Sequence, residues 1–170
     1  MTNREIMIGA FEKHIIPKLK DHGFSGKYPE FRRSNVNCIE FIAFQTNKYG
    51  GAFTIEVSAA FPNIINKNYQ LYGNMTEQNL RIDATNKRYR LPGMFDGWFY
   101  YSDVYRKRTL FFGNVYYAPH GKEDIEELIR KGYRPVQIFD SHTADEICKE
   151  ITRQLEDAYR WLGQFKSRHL

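Results

Sequence analysis

The chain is short of cysteine, of long apolar runs and of every common catalytic signature, and each shortage excludes something. Cysteine occurs at two of 170 positions, Cys38 and Cys148. Thiols so far apart form neither a disulfide framework nor a CxxC motif. Both read as buried free thiols, which suits a reducing cytoplasm. No run approaches the roughly 18 apolar residues that a membrane span needs. The N-terminal MTNREIMIGAFEKH carries acidic residues and no long apolar core, so it does not read as a signal peptide. The expectation is a cytoplasmic protein with no membrane segment. His14, His22, His120, His142 and His169 form no HExxH and no Cys/His cluster with ligand spacing, so no metal site is expected. GxxxxGK[ST] and GxGxxG are absent, and Gly50-Gly51 lies in a hairpin context rather than a strand-to-helix turn. No Asp, Glu and Lys set has the spacing of a metal-dependent nuclease, and no cofactor is expected.

What the chain does have is aromatic side chains. It contains 13 Phe, 12 Tyr and 2 Trp, a load that suits half-buried pleated surfaces. Its formal charge of +5 is mildly basic, which permits an acidic partner without demanding one. A length of 170 residues fits one domain, 1–170, with a core that needs no metal or disulfide.

Residues 30–61 read as three strands joined by turns at Ser34–Asn37 and Asn47–Gly51. On the third strand Phe53, Ile55, Val57, Ala59 and Phe61 alternate with Thr54, Glu56, Ser58 and Ala60, which predicts one buried and one wetter face. Ahead of them, Thr2 and Glu5 form a capping-box pattern, and Met7, Phe11, Ile15 and Leu19 make one helical stripe that Pro17 interrupts near Ile16. Gly23 suits the helix end, with Phe24 folding back onto the stripe. Residues 62–97 read as a long irregular excursion, with a short helix near Thr76–Leu80. Trp98–Tyr105 and Thr109–Tyr117 have strand composition, with Tyr105–Arg108 as a turn or a strand end and a bulge at Gly113. Lys122–Lys131 reads as a short helix with acids first and bases last, ended by Gly132, and Val136–Phe139 as a short extended piece. Thr143 and Glu146 suggest a second capping box before a long helix striped by Ile147, Ile151, Leu155, Ala158, Leu162 and Phe165. The sum is an α+β domain: a mainly antiparallel sheet with the N-terminal and C-terminal helices packed on one face and the other face either solvated or partly covered by the excursion.

In order along the chain come His22-Gly23-Phe24, Phe31-Arg32-Arg33, the Ile39–Gln45 strand, Phe53-Thr54-Ile55, Arg90-Leu91, Trp98 and Asp145-Glu146-Ile147. This series resembles the bacterial domain of unknown function 4304 family. The resemblance implies an α+β fold. It supplies no assigned activity and no catalytic residue.

Chemistry-bearing residues are few. Asp140-Ser141-His142 holds the residue types of a triad, but neighbours on a turn do not converge from three sides, and a polar turn before a helix is the better account. Glu123, Asp124, Glu126 and Glu127 read as a solvated first turn. The remaining signal is basic residues interleaved with aromatics: Arg32, Arg33, Lys87, Arg88, Arg90, Trp98, Tyr100, Tyr101, Arg106, Lys107 and Arg108. Such residues anchor acidic protein surfaces, and they also serve single-stranded nucleic acid. Alternatively they only guard strand edges, with the aromatics as core. The expected function is a non-enzymatic binding module for a protein partner with an acidic surface. Its basic residues, from Arg32 to Arg108, would gather on one edge of the sheet. The alternatives are a pocket between sheet and excursion, lined by Trp98, Tyr100, Arg90 and His120, and a single-stranded nucleic-acid binder.

Overall fold

The computed structural model of the chain describes residues 1–36, 38–61, 78–82, 85, 87–119 and 125–166. Helix α1 spans Asn3–His14 and opens on the capping box: Thr2 Oγ1 accepts the Glu5 amide at 3.2 Å, and the Glu5 carboxylate accepts the Thr2 amide at 2.6 Å. α2 spans Ile16–Asp21 and carries Pro17 in its first turn, where a missing amide leaves no hydrogen bond unmade. The break therefore falls at Ile15, and Met7, Phe11, Ile15 and Leu19 all stay buried along one stripe. Gly23, at φ +81°, closes α2. Its amide donates to the Lys20 carbonyl at 2.8 Å and the Phe24 amide to the Leu19 carbonyl at 2.9 Å. This is the Schellman arrangement, and it turns Phe24 into the core.

Strands β1 Ser25–Lys27, β2 Glu30–Ser34, β3 Ile39–Thr46, β4 Ala52–Ala60, β5 Lys87–Arg90 and β6 Phe99–Tyr100 form one antiparallel sheet. Its order is β1-β2-β3-β4-β5, with β6 also on β4. A second antiparallel sheet has the order β8-β7-β9, from β7 Val104–Thr109, β8 Gly113–Tyr117 and β9 Arg134–Gln137. The short α3, Ile125–Arg130, precedes β9, and α4, Ser141–Lys166, closes the described chain. Gln137 fixes the small sheet to the large one: its Nε2 donates to the Tyr100 and Ser102 carbonyls at 2.8 and 2.7 Å.

The register decides which residues share a face. Phe31, Ile42, Val57 and Tyr89 form one row across the large sheet. On that side Phe31, Ile42, Phe44, Phe53, Ile55, Val57 and Ala59 join the α1 and α2 stripe and Ile147, Ile151, Leu155, Ala158, Leu162 and Phe165 of α4 in one core. The architecture is α+β, with the N-terminal and C-terminal helices on one face of a mainly antiparallel sheet.

Four details differ from the sequence reading. The second face of β4 is not wet: Thr54, Ser58 and Ala60 are buried, and Ile39, Phe41, Ala43 and Ala60 cluster with Leu80 and Ile82, which lie over that face. Lys87–Arg90 is not irregular but strand β5. Its alternation is hidden in the sequence because Lys87 and Tyr89 share the helix-side face but Lys87 is exposed there, and Tyr89 packs, meeting Trp161 at 5.6 Å between ring centres. Arg106–Arg108 is the body of β7 rather than a turn, and the turn is the apolar Leu110-Phe111-Phe112. α4 starts at Ser141, and its cap is Asp140, whose Oδ1 accepts the Thr143 amide at 2.7 Å. That bond, with one from the Thr143 hydroxyl, holds the Asp140 carboxyl below its ordinary range. The expected Thr76 cap, the Lys122–Asp124 start of α3, His120 and His169 lie outside the described residues.

Cys38 and Cys148 are buried and form no disulfide with each other. Burial above all, with Asp145 nearby, pushes the Cys148 thiol up to about 12. A disulfide reagent at pH 8 should therefore label neither thiol in the folded protein and both after denaturation. Rapid labelling of the native state would show that α4 does not sit as described.

Candidate interaction surface

The basic residues singled out by the sequence go to three places. Arg32 and Arg88 sit in one row with Phe41 and Ser58, on the face away from the helices, and Arg90 lies beside them on that face. Arg32 lies 5.6 Å from the Phe41 ring and donates to the Gln78 carbonyl at 3.1 Å. Arg88 and Arg90 approach the Glu56 carboxylate at 3.6 and 3.5 Å, and Gln45 donates to the same carboxylate at 3.0 Å. Arg33 points the other way, since neighbours in a strand alternate. Its Nε meets Glu40 at 2.5 Å, it donates to the His22 carbonyl, and its guanidinium lies 4.4 Å over the Phe24 ring. Arg33 is a core ion-pair residue.

Arg106 and Arg108 are the exposed group. They share a face of β7 with Tyr116 and Asn114 of β8 and with Arg134 of β9. Arg106 stands opposite Tyr116 on one side and opposite Arg134 on the other. Like charges directly opposite in an antiparallel pair are destabilising. Arg134 donates to two carbonyls, those of Ile129 at 3.1 Å and Tyr133 at 3.0 Å. Among the described residues no carboxylate pairs with Arg106, Lys107 or Arg108. Val104–Tyr117 contains no acidic residue at all. Lys107 faces the other side, 5.8 Å over the Tyr133 ring.

The hairpin tip is apolar. Leu110, Phe111 and Phe112 are 98%, 90% and 83% exposed. Thr109 shapes the turn beneath them: its Oγ1 accepts the Phe112 amide at 3.1 Å and donates to the Gly113 carbonyl at 3.3 Å. Behind the tip, the Tyr116 ring packs on Phe95 at 5.3 Å and Phe95 on Tyr100 at 6.2 Å. Tyr100 pairs with Ala52 on the same sheet face as Arg90 and Arg88. Partial burial raises its hydroxyl above the ordinary tyrosine value. Trp98 is half-buried in the turn it closes with Phe95. An aromatic path thus runs from Tyr100 through Phe95 to Tyr116, from the large sheet to the arginine-bearing face.

The proposed members of a pocket near Trp98 are not all in view, since His120 lies outside the described residues. Three clefts among the described residues lie elsewhere. One of about 800 Å³ runs between α1 and α4, past Ile6, Gly9, Ala10 and Ala144. One of about 480 Å³ lies between Gly93-Met94 and Glu146, Lys149, Glu150 and Arg153. One of about 190 Å³ is lined by His22, Thr152 and Tyr159. Burial drives the Tyr159 hydroxyl up to about 12, so it does not ionise near neutrality. Among the described residues no three His, Cys, Asp or Glu side chains are grouped to hold a metal ion. Nor is any helix among them long and apolar enough to cross a membrane.

The sequence reading missed Leu110–Phe112 and Arg134. An apolar run before Gly113 looks like strand interior, and Arg134 stands alone in sequence and joins the others only through β7–β9 pairing.

Residues 15–103 match the family described as Domain of unknown function (DUF4304), which is more than half of the chain. The chain belongs to this family. The DUF4304 match takes in α2 and the whole large sheet and ends one residue before β7. The small sheet and α4, with Asp145-Glu146-Ile147, lie beyond it. No curated protein and no solved structure matches the chain.

Proposed function

We propose that this DUF4304 protein is a non-enzymatic binding module of the bacterial cytoplasm, a single α+β domain that receives a protein partner with an acidic surface on its small sheet. One observation carries the reading. Arg106 faces Arg134 across β7–β9 with no carboxylate partner among the described residues, whereas Arg33, Arg88 and Arg90 are each matched to a glutamate. An unrelieved like-charge pair costs stability to the free protein and would be relieved by carboxylates brought from outside. Arginine with Tyr116 and Phe95 beside it is also the composition of interface anchors. A net charge of +5 would steer an acidic surface toward it at low salt.

The test replaces Arg106, Lys107 and Arg108 with Ser. Stability should change by no more than about 0.5 kcal/mol, since these side chains support no ion pair among the described residues. Capture from the native host should lose the partner, and residual binding should become less salt-dependent. Equal capture by both proteins at every salt concentration overturns the reading.

A further inference from the structure

Resting on the binding reading above, we infer that Leu110-Phe111-Phe112 is the anchor of the interface, a plug for an apolar pocket on a partner protein whose rim carries carboxylates. The tip contributes nothing to the fold, because all three side chains stand in solvent. Single exposed apolar residues are ordinary, but three in succession on a protruding, hydrogen-bonded turn are not. Each phenylalanine offers about 150–250 Å² of surface, and a convex tip hides that surface only inside a concave site. Thr109 holds the turn closed on both sides, so little ordering entropy remains to be lost on binding.

The charge pattern selects a protein over a bilayer. Segments that lie on a bilayer back their apolar side chains with Lys and Arg spread over a broad polar face. Here Arg106, Arg108 and Arg134 lie on one face only, and Lys107 on the other is laid over Tyr133. The arginine face continues through Tyr116 and Phe95 to Tyr100, so the patch is elongated and sided, with Arg, Tyr and Phe and no acid on either hairpin strand. That is the make-up of the buried centre of a protein interface. The occupant is therefore a protein lying along this face, with carboxylates opposite the arginines and an apolar pocket at the tip.

The experiment has two stages. A photoreactive Phe111→p-benzoylphenylalanine substitution in the full chain, expressed in the native host, should cross-link one protein that is not a second copy of the chain. Titration calorimetry with that purified protein then compares wild type, L110S/F111S/F112S and R106S/R108S. The tip variant should bind about 100-fold more weakly or worse, with its salt dependence unchanged. The arginine variant should bind about 10-fold more weakly with a flatter salt dependence. If the tip variant binds as tightly as wild type while the arginine variant fails, the anchor is wrong and the binding module stands. If only the tip variant fails, the anchor stands and the acidic-surface reading falls. A cross-link to another copy alone, no protein cross-link, or sedimentation of wild type but not the tip variant with phosphatidylcholine–phosphatidylserine vesicles overturns the inference.

Discussion

Glu40→Ala should destabilise the protein by about 3–5 kcal/mol, because it removes one member of a buried ion pair and leaves the other. The Glu40 side chain is fully buried and Arg33 is 17% exposed, with Nε and Oε2 at 2.5 Å. Without the carboxylate the guanidinium keeps the His22 carbonyl and the Phe24 ring but has no counter-charge. The pair is not therefore a large net source of stability. Glu40 Oε1 is buried without a hydrogen-bond partner, and desolvating both groups offsets much of their attraction. The double variant R33M/E40L, which removes both charges and keeps apolar volume, should accordingly lie closer to wild type than E40A does. Urea melts of the three proteins measure this. A loss under about 1 kcal/mol for E40A would mean that the carboxylate reaches water and that β2–β3 is not closed as described.

That ion pair also shows what the sequence could and could not reveal. Arg32 and Arg33 look like one basic cluster, yet a two-residue period sends them to opposite faces. One donates to Gln78 and the other is committed to Glu40 in the core. The period itself was legible, since Phe53 to Phe61 alternates so regularly that β2 to β4 follow from it. The terminal helices were legible for the same kind of reason, each carrying an apolar stripe and a cap signal. The second cap misled only because Asp140 and Thr143 offer overlapping signals one turn apart. The small sheet was legible only in part: β8 lies within the expected Thr109–Tyr117 strand and β9 overlaps the expected Val136–Phe139 piece, but β7 and the pairing were not. Both of its faces carry polar or half-exposed side chains, so β7 shows no alternation, its charges imitate a turn, and its true turn imitates a strand. Its identity as a surface depends on which strands pair, and that information lies in Arg134, far from Arg106 in sequence. The DUF4304 match stops before β7 as well, so kinship marks none of the residues on which the proposed binding rests, and composition marks Arg106 to Arg108 but neither Arg134 nor the tip.

The second large effect belongs to Phe53→Ala, expected to cost about 3–5 kcal/mol through lost burial and the cavity left behind. Phe53 is where three elements meet. It pairs with Phe99 of β6 at 5.3 Å between ring centres, meets Phe11 of α1 edge-on at 5.1 Å, and lies 6.2 Å from Phe44 of β3 and 6.3 Å from Tyr101. Few of these neighbours can move to refill the space, since Phe11, Phe44 and Phe99 each belong to a different element and are themselves buried. Val57→Ala and Ile151→Ala remove less volume from the same core and should fall in the range of about 1–5 kcal/mol. Phe112→Ala is the internal control: the same atoms are deleted from a side chain that is 83% exposed, and stability should move by no more than about 0.5 kcal/mol. Denaturant melts with unchanged slopes would make the comparison direct. Equally large losses at Phe53 and Phe112 would mean that the tip is packed in solution, which removes the exposed anchor. A full loss at Phe53 with none at Phe112 leaves a phenylalanine pair whose place at the tip folding does not explain.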